Sequence, residues 1–205
     1  MPPSREELVA LTQDPSAFLH DGDWMLRRMA VSALSVTDAP NHLDDLTVLA
    51  SDAHEAVRTA TAEKLGWCGP DASTILRTLQ VDAADPVREA VATAYGENGD
   101  TTAIPWLIEV GRRDENRQVR EAAVAALGAI GDPAAVDLLL ELIRSGPPQV
   151  RRRAIAAITV FDDPRIEPAI RMAALDRNPG VKEAAEMVVG RQIAVITDHE
   201  SEITD

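Results

Sequence analysis

The chain is poor in aromatic residues and cysteine, short of base, and without any long apolar run. Each shortage removes a class of function. With only Trp 3, Phe 2 and Tyr 1, the core has to be built from Ala, Val, Leu and Ile. Such residues at close spacing favour helices that pack at short distance. The single cysteine, Cys68, forms neither an internal disulfide nor a cysteine metal cluster, which fits a reducing, cytoplasmic setting. Lys and Arg number 20 against 34 Asp and Glu, a net charge of -14 that opposes phosphate backbones and anionic bilayers. Neither nucleic acid nor a membrane is therefore the expected partner. No apolar run approaches the roughly 18 residues that would span a bilayer. The start, Met1-Pro2-Pro3-Ser4-Arg5-Glu6-Glu7, lacks the basic and apolar regions of a secretory signal. Charged residues at 26% and hydrophobic ones at 45% are the proportions of a folded chain.

What is present is a repeat. An acid followed six positions later by a base, itself preceded by an aliphatic residue, recurs as Asp21 with Arg27, Asp52 with Arg58, Asp82 with Arg88, Asp114 with Arg120 and Asp176 with Lys182. A sixth copy carries Ser145 in place of the acid ahead of Arg151. The bases lie 31, 30, 32, 31 and 31 residues apart, the register of a repeat architecture. Before each base stands Leu26, Val57, Val87, Val119, Val150 or Val181, and three residues after it Ala30, Thr61, Val91, Ala123, Ala154 or Ala185. Positions four apart on one apolar stripe predict a helix, and the mostly small column two after the base predicts close approach of a neighbour.

A second helix is expected ahead of each of these. Asn41, Asp71, Asp132-Pro133 and Asp163-Pro164 supply capping acceptors, and Ser4 with Glu7 has the form of a capping box. Gly66, Gly96, Gly128 and Gly131 are expected to end helices in the left-handed conformation. Only Ile193-Ala194-Val195-Ile196 could be read as a strand.

Helical hairpins of this length, with Asp six before Arg and Leu127-Gly128-Ala129-Ile130-Gly131-Asp132-Pro133 at a junction, resemble HEAT repeats. They are similar to the short subtype found in phycobilisome lyases, over about residues 14 to 190. The resemblance implies an all-α, right-handed α-solenoid of about six hairpins, one domain over 1–190 followed by an acidic tail over 191–205. It also implies that Asp21, Arg27, Asp52, Arg58, Asp82, Arg88, Asp114, Arg120, Arg151, Asp176 and Lys182 form a structural ladder, and that the second helices line a concave face. Arg28, Thr59, Glu89, Glu121, Arg152 and Glu183 would lie on that face, a mixed surface better suited to protein or peptide than to duplex.

The fifth repeat departs from the rest, with Ser145, Pro147-Pro148 and Arg153 where the other repeats have Met or Ala. Stacking would bring Arg151, Arg152 and Arg153 near Arg112, Arg113, Arg117 and Arg120. Residues 1–100 hold 17 acids and 7 bases, whereas 101–190 hold 13 acids and 12 bases, so charge is polarised along the chain. Arg153, set in a small apolar column, is the strongest single pointer to function. The arginine run reads as a solvated face, a grip on carboxylates, or a phosphate holder.

Among the tryptophans, Trp106 is expected to fill a gap between helices. Trp24 and Trp67 stand both as core fillers and as recognition anchors. Cys68 aligns with Ile130 and Phe161 and is expected to be buried and inert. The histidines His20, His42, His54 and His199 show no metal-ligand spacing, and no phosphate loop or nucleophile elbow occurs. No cofactor, metal or catalytic residue is expected. The leading expectation is a non-enzymatic scaffold or adaptor. The resemblance leaves two alternatives open: a bilin-type lyase or isomerase subunit, and a HEAT-like DNA-repair glycosylase.

Overall fold

The computed structural model describes the backbone of residues 3–202 and the side chains of residues 3–190. It is all α, an α-solenoid of helical hairpins with no strand among the described residues. Two compact units divide the chain, the first ending at Trp106 and the second beginning at Leu107.

The first unit holds α1 (Arg5–Gln13), α2 (Trp24–Ala33), α3 (Leu43–Leu49), α4 (Glu55–Leu65), α5 (Ser73–Leu79) and α6 (Asp85–Asn98). The division falls inside α7 (Ile104–Arg113). The second unit continues with α8 (Arg117–Ile130), α9 (Val136–Ser145), α10 (Pro148–Ile158), α11 (Ile166–Ala173) and α12 (Pro179–Glu202). Backbone over 193–196 is helical within α12, so this run is not a strand.

In each unit the second helices of successive hairpins pack side by side, α2 on α4 and α4 on α6, then α8 on α10 and α10 on α12. The sequence columns explain the contact. Ala30, Val31, Val57, Thr61, Ala62 and Leu65 are fully buried, as are Val119, Ala123, Val124, Leu127, Val150 and Ala154. Thr61 satisfies its hydroxyl by donating to the Val57 carbonyl at 2.8 Å, one turn back.

The helix starts are built in two stages. Ser4 and Glu7 form a reciprocal capping box, with the Ser4 amide donating to Glu7 Oε2 at 2.7 Å. Asp132 caps a short 3-10 turn, accepting from the Ala134 amide at 2.9 Å, and only then does α9 begin. Asn41 and Asp71, expected as capping acceptors, lie instead inside 3-10 turns ahead of α3 and α5, and neither turn nor helix there has a side-chain cap. The glycines differ from expectation. Gly131 is left-handed (φ 71°), but Gly66 ends α4 in right-handed geometry and Gly96 and Gly128 lie inside helices, while Gly99 (φ 64°) ends α6. Gly128 is there for space: a Cβ would sit 2.8 Å from both Cα and Cβ of Ala157, so α10 presses backbone against α8.

Each ladder acid accepts from the amide two residues on, Asp52 from His54 at 2.8 Å and Asp82 from Ala84 at 2.9 Å. Asp52 and Asp82 also take a fork from the preceding repeat. Arg27 donates to Asp52 at 2.7 and 3.0 Å, and Arg58 to Asp82 at 2.6 and 2.9 Å. The remaining guanidinium nitrogen reaches back into its own turn, Arg27 to the Asp21 carbonyl and Arg58 to the Asp52 carbonyl, both at 2.8 Å. One arginine thus fastens two turns. Burial pushes the carboxyls of Asp52 and Asp82 up, but the bonds from Arg27 or Arg58 and the turn amide outweigh it and hold both below the ordinary range.

The ladder weakens in the second unit. With Ser145 at the acid's place, Arg120 keeps a bond to the Asp114 carbonyl at 2.7 Å while its buried Nε has no partner. Ser145 turns instead to the Glu141 carbonyl at 3.0 Å. Arg151 recovers one contact, donating to Asp176 at 2.8 Å. Lys182 faces Glu186 on its own helix at 3.7 Å, where both are half exposed.

Candidate functional site

The second helices carry one face that stays open after the stack has formed. In the first unit it includes Arg28, Thr59 and Glu63, which with Glu55, Ala56 and Pro86 surround a shallow groove of about 220 Å³. Glu89 is half buried on the same face of α6. Trp67, just past the end of α4, is 57% exposed. The other two tryptophans are engaged within the first unit. Trp24 stacks on His54 with ring centroids 3.6 Å apart and planes 6° apart. Trp106 meets Tyr95 edge to face at 5.7 Å. Tyr95 is itself buried and accepts from Gln80 at 2.8 Å; burial pushes its phenol up to about 12.

Cys68 is buried, its Sγ 3.5 Å from the Lys64 carbonyl, and burial pushes the thiol up, the setting of an unreactive cysteine. His20 and His42 come together on one carboxylate, Asp45, at 2.7 and 3.0 Å. Sequence spacing gave no sign of this clasp, because the turn over 39–42 sets it. No cluster among the described residues has the geometry of a metal site.

In the second unit, the arginines expected to gather around Arg151 to Arg153 are mostly neutralised. Arg112 grips Glu141 at 2.7 Å, Arg113 meets Glu109 at 2.9 Å and Arg117 meets Glu121 at 3.2 Å. The broad basic cluster is thereby reduced, since acids on α7, α8 and α9 lie within reach of those guanidinium groups. Arg152 and Arg153 are the exceptions in the run: both are exposed, and neither has an ion pair or hydrogen bond among the described residues. The stem of Arg152 lies over Gly180 at the start of α12, where a Cβ would meet its Cδ at 3.3 Å. Arg153 stands at the rim of a groove of about 300 Å³ between α8 and α10, lined by Ala125, Gly128, Ala129, Ala156 and Val160. A second groove of about 180 Å³ between α10 and α12 is lined by Ala156, Thr159, Met187 and Val188. Val160 is 63% and Met187 57% exposed. Residue type alone hid these two, because Val and Met at helical spacing read as core.

No helix among the described residues is long and apolar enough to cross a membrane. A comparison with the curated proteins returned no significant match. Among solved structures, the chain is similar to the complex of CpcE and CpcF of phycocyanin lyase from Nostoc sp. PCC7120, with 23% identity, TM-score 0.65, and coverage of 85% of this chain and 74% of the other. It is similar to Escherichia coli YibA at 20% identity and TM-score 0.62, over 97% and 81% of the two chains. A designed armadillo repeat protein in complex with the peptide (KR)4 matches at 16% identity and TM-score 0.62, over 88% and 98%. These likenesses carry the fold. The HEAT repeats family matches residues 12–94 and 72–159, most of the repeat register traced above, and the chain belongs to that family.

Proposed function

We propose that this protein is a non-enzymatic scaffold or adaptor that binds another protein or peptide along the face of its second helices. The observation that carries the reading is a contrast between two sets of arginines. Arg27 and Arg58 spend their donors inside the chain, whereas Arg152 and Arg153 hold theirs in solvent beside exposed Val160 and Met187. An unpaired guanidinium next to open apolar surface is the composition of an interface hot spot. In the first unit, Arg28 at the groove and Trp67, exposed past the end of α4, offer further contact residues, with Glu89 in the same repeat column as Arg28, and Glu121 adds a carboxylate on α8. Trp24, half-buried with one face stacked on His54, offers less free surface than Trp67.

Neighbouring folds support a protein partner: one is a complex of two proteins, and another is seated on a peptide. The bilin-lyase alternative asks for an aromatic-lined cradle, and only Trp67 among the tryptophans is exposed. The test is recovery of a partner from the host with the wild-type chain and with an Arg152→Glu, Arg153→Glu double variant, followed by cross-link mapping. Cross-links to the second helices, and loss of the partner with the double variant, are expected. Cross-links confined to α3, α5, α9 and α11 would overturn the reading.

A further inference from the structure

We propose that the second-helix face of the second unit is a docking surface for an acidic amphipathic helix of a partner protein, an inference that rests on the scaffold reading. Its apolar side chains enter the two grooves on either side of Ala156, and its carboxylates meet Arg152 and Arg153.

Three observations select this occupant. The grooves flank one helix, α10, and share Ala156, so they are separated by about one interhelical spacing, roughly 8–10 Å. Residues i and i+7 of an incoming helix are about 10 Å apart on one face and match that separation. Apart from Arg153 at the rim, the walls are Ala, Gly, Val, Ile and Met, which accept Leu-sized side chains, and the Thr159 hydroxyl, already donating to the Ala156 carbonyl at 2.8 Å. The charge at the rim is positive and unspent. Arg152 lies against the first turn of α12, so a guanidinium and a helix N-terminus favour the same sign of ligand. The competing acids on α12 are Glu183 and Glu186; Glu186 is engaged by Lys182 at 3.7 Å.

The experiment is fluorescence anisotropy on the full chain with three labelled synthetic 16-residue peptides and a DNA duplex. The first peptide has Leu at helix positions i, i+4, i+7 and i+11, Glu only at i+3 and i+8 beside that stripe, and Ala or Gln elsewhere; the second replaces Glu by Lys, and the third replaces Leu by Ser. Binding of the first alone is expected, weakened at least tenfold by Arg152→Glu with Arg153→Glu and by Ala156→Arg, which blocks both grooves. Arg144→Glu with Arg171→Glu, an equal charge change on the first helices α9 and α11, is the control and should leave affinity unchanged. Circular dichroism melting shows that each variant is folded. Equal binding of the Lys peptide, preference for the duplex, insensitivity to the double variant, or self-association in the ultracentrifuge that the double variant abolishes would each overturn the proposal. If no peptide binds but host-partner cross-links fall on α2, α4 and α6, this groove fails and the scaffold reading survives. Cross-links off the second helices remove both.

Discussion

Arg58 and Arg120 occupy the same repeat position and are held differently. Arg58 forks onto Asp82, whose side chain is nearly buried, whereas Arg120 keeps one carbonyl bond and an unpartnered Nε. Arg58→Ala leaves a buried carboxylate without its counter-ion and is expected to cost about 3 kcal/mol. Arg120→Ala, which removes one bond and some packing, is expected to cost about 1 kcal/mol. Urea denaturation of the two variants gives the comparison directly. The same pairs set the acid limit of stability. Asp52 and Asp82 have folded-state values below their unfolded ones, so their contribution is complete above the ordinary carboxylate range, near pH 4, and is lost as pH falls through the lowered folded values. Stepped-pH denaturation should therefore show stability falling below about pH 4, and less steeply for Asp82→Asn. The acid-base spacing that reveals the ladder is visible in the sequence because it repeats. The consequence of Ser145 for Arg120 is not legible there, since a serine could keep the contact through its hydroxyl, whereas this one turns to the Glu141 carbonyl.

At the level of helices, hairpin number and register were legible because three columns of aliphatic and small residues recur at 3.6-residue spacing. Helix ends were less so. A glycine after an apolar run serves either a left-handed turn or a close backbone approach, and one sequence does not tell them apart. Gly131 is the first case and Gly128 the second. Gly128→Ala must push α10 away and is expected to cost about 1–3 kcal/mol, despite the higher helix propensity of alanine. Thermal melting should also show Gly131→Ala destabilised, by about 1 kcal/mol, because its backbone is left-handed. If Gly128→Ala were neutral or stabilising, the close contact between α8 and α10 would not hold.

Over the whole molecule, the net charge of -14 is concentrated in the first hundred residues, and six of the eleven described arginines beyond them, Arg112, Arg113, Arg117, Arg151, Arg165 and Arg171, are paired with acids. Arg152 and Arg153 remain as an unspent cationic pair in a chain that otherwise repels polyanions. Duplex binding at low salt is expected to be undetectable by anisotropy, because two contacts cannot offset the overall field. Arg153 was legible as a misfit in a small-residue column; the exposure of Val160 and Met187 was not, because it depends on where the neighbouring helices stop. The most direct test uses a pair of methionines. Met187 lies in the proposed groove at 57% exposure, and Met172 lies on the first helix α11 at 73%. Hydroxyl-radical footprinting of the partner-bound protein should show Met187 oxidation reduced severalfold with Met172 unchanged. Protection of Met172 with Met187 still fully reactive would contradict the account.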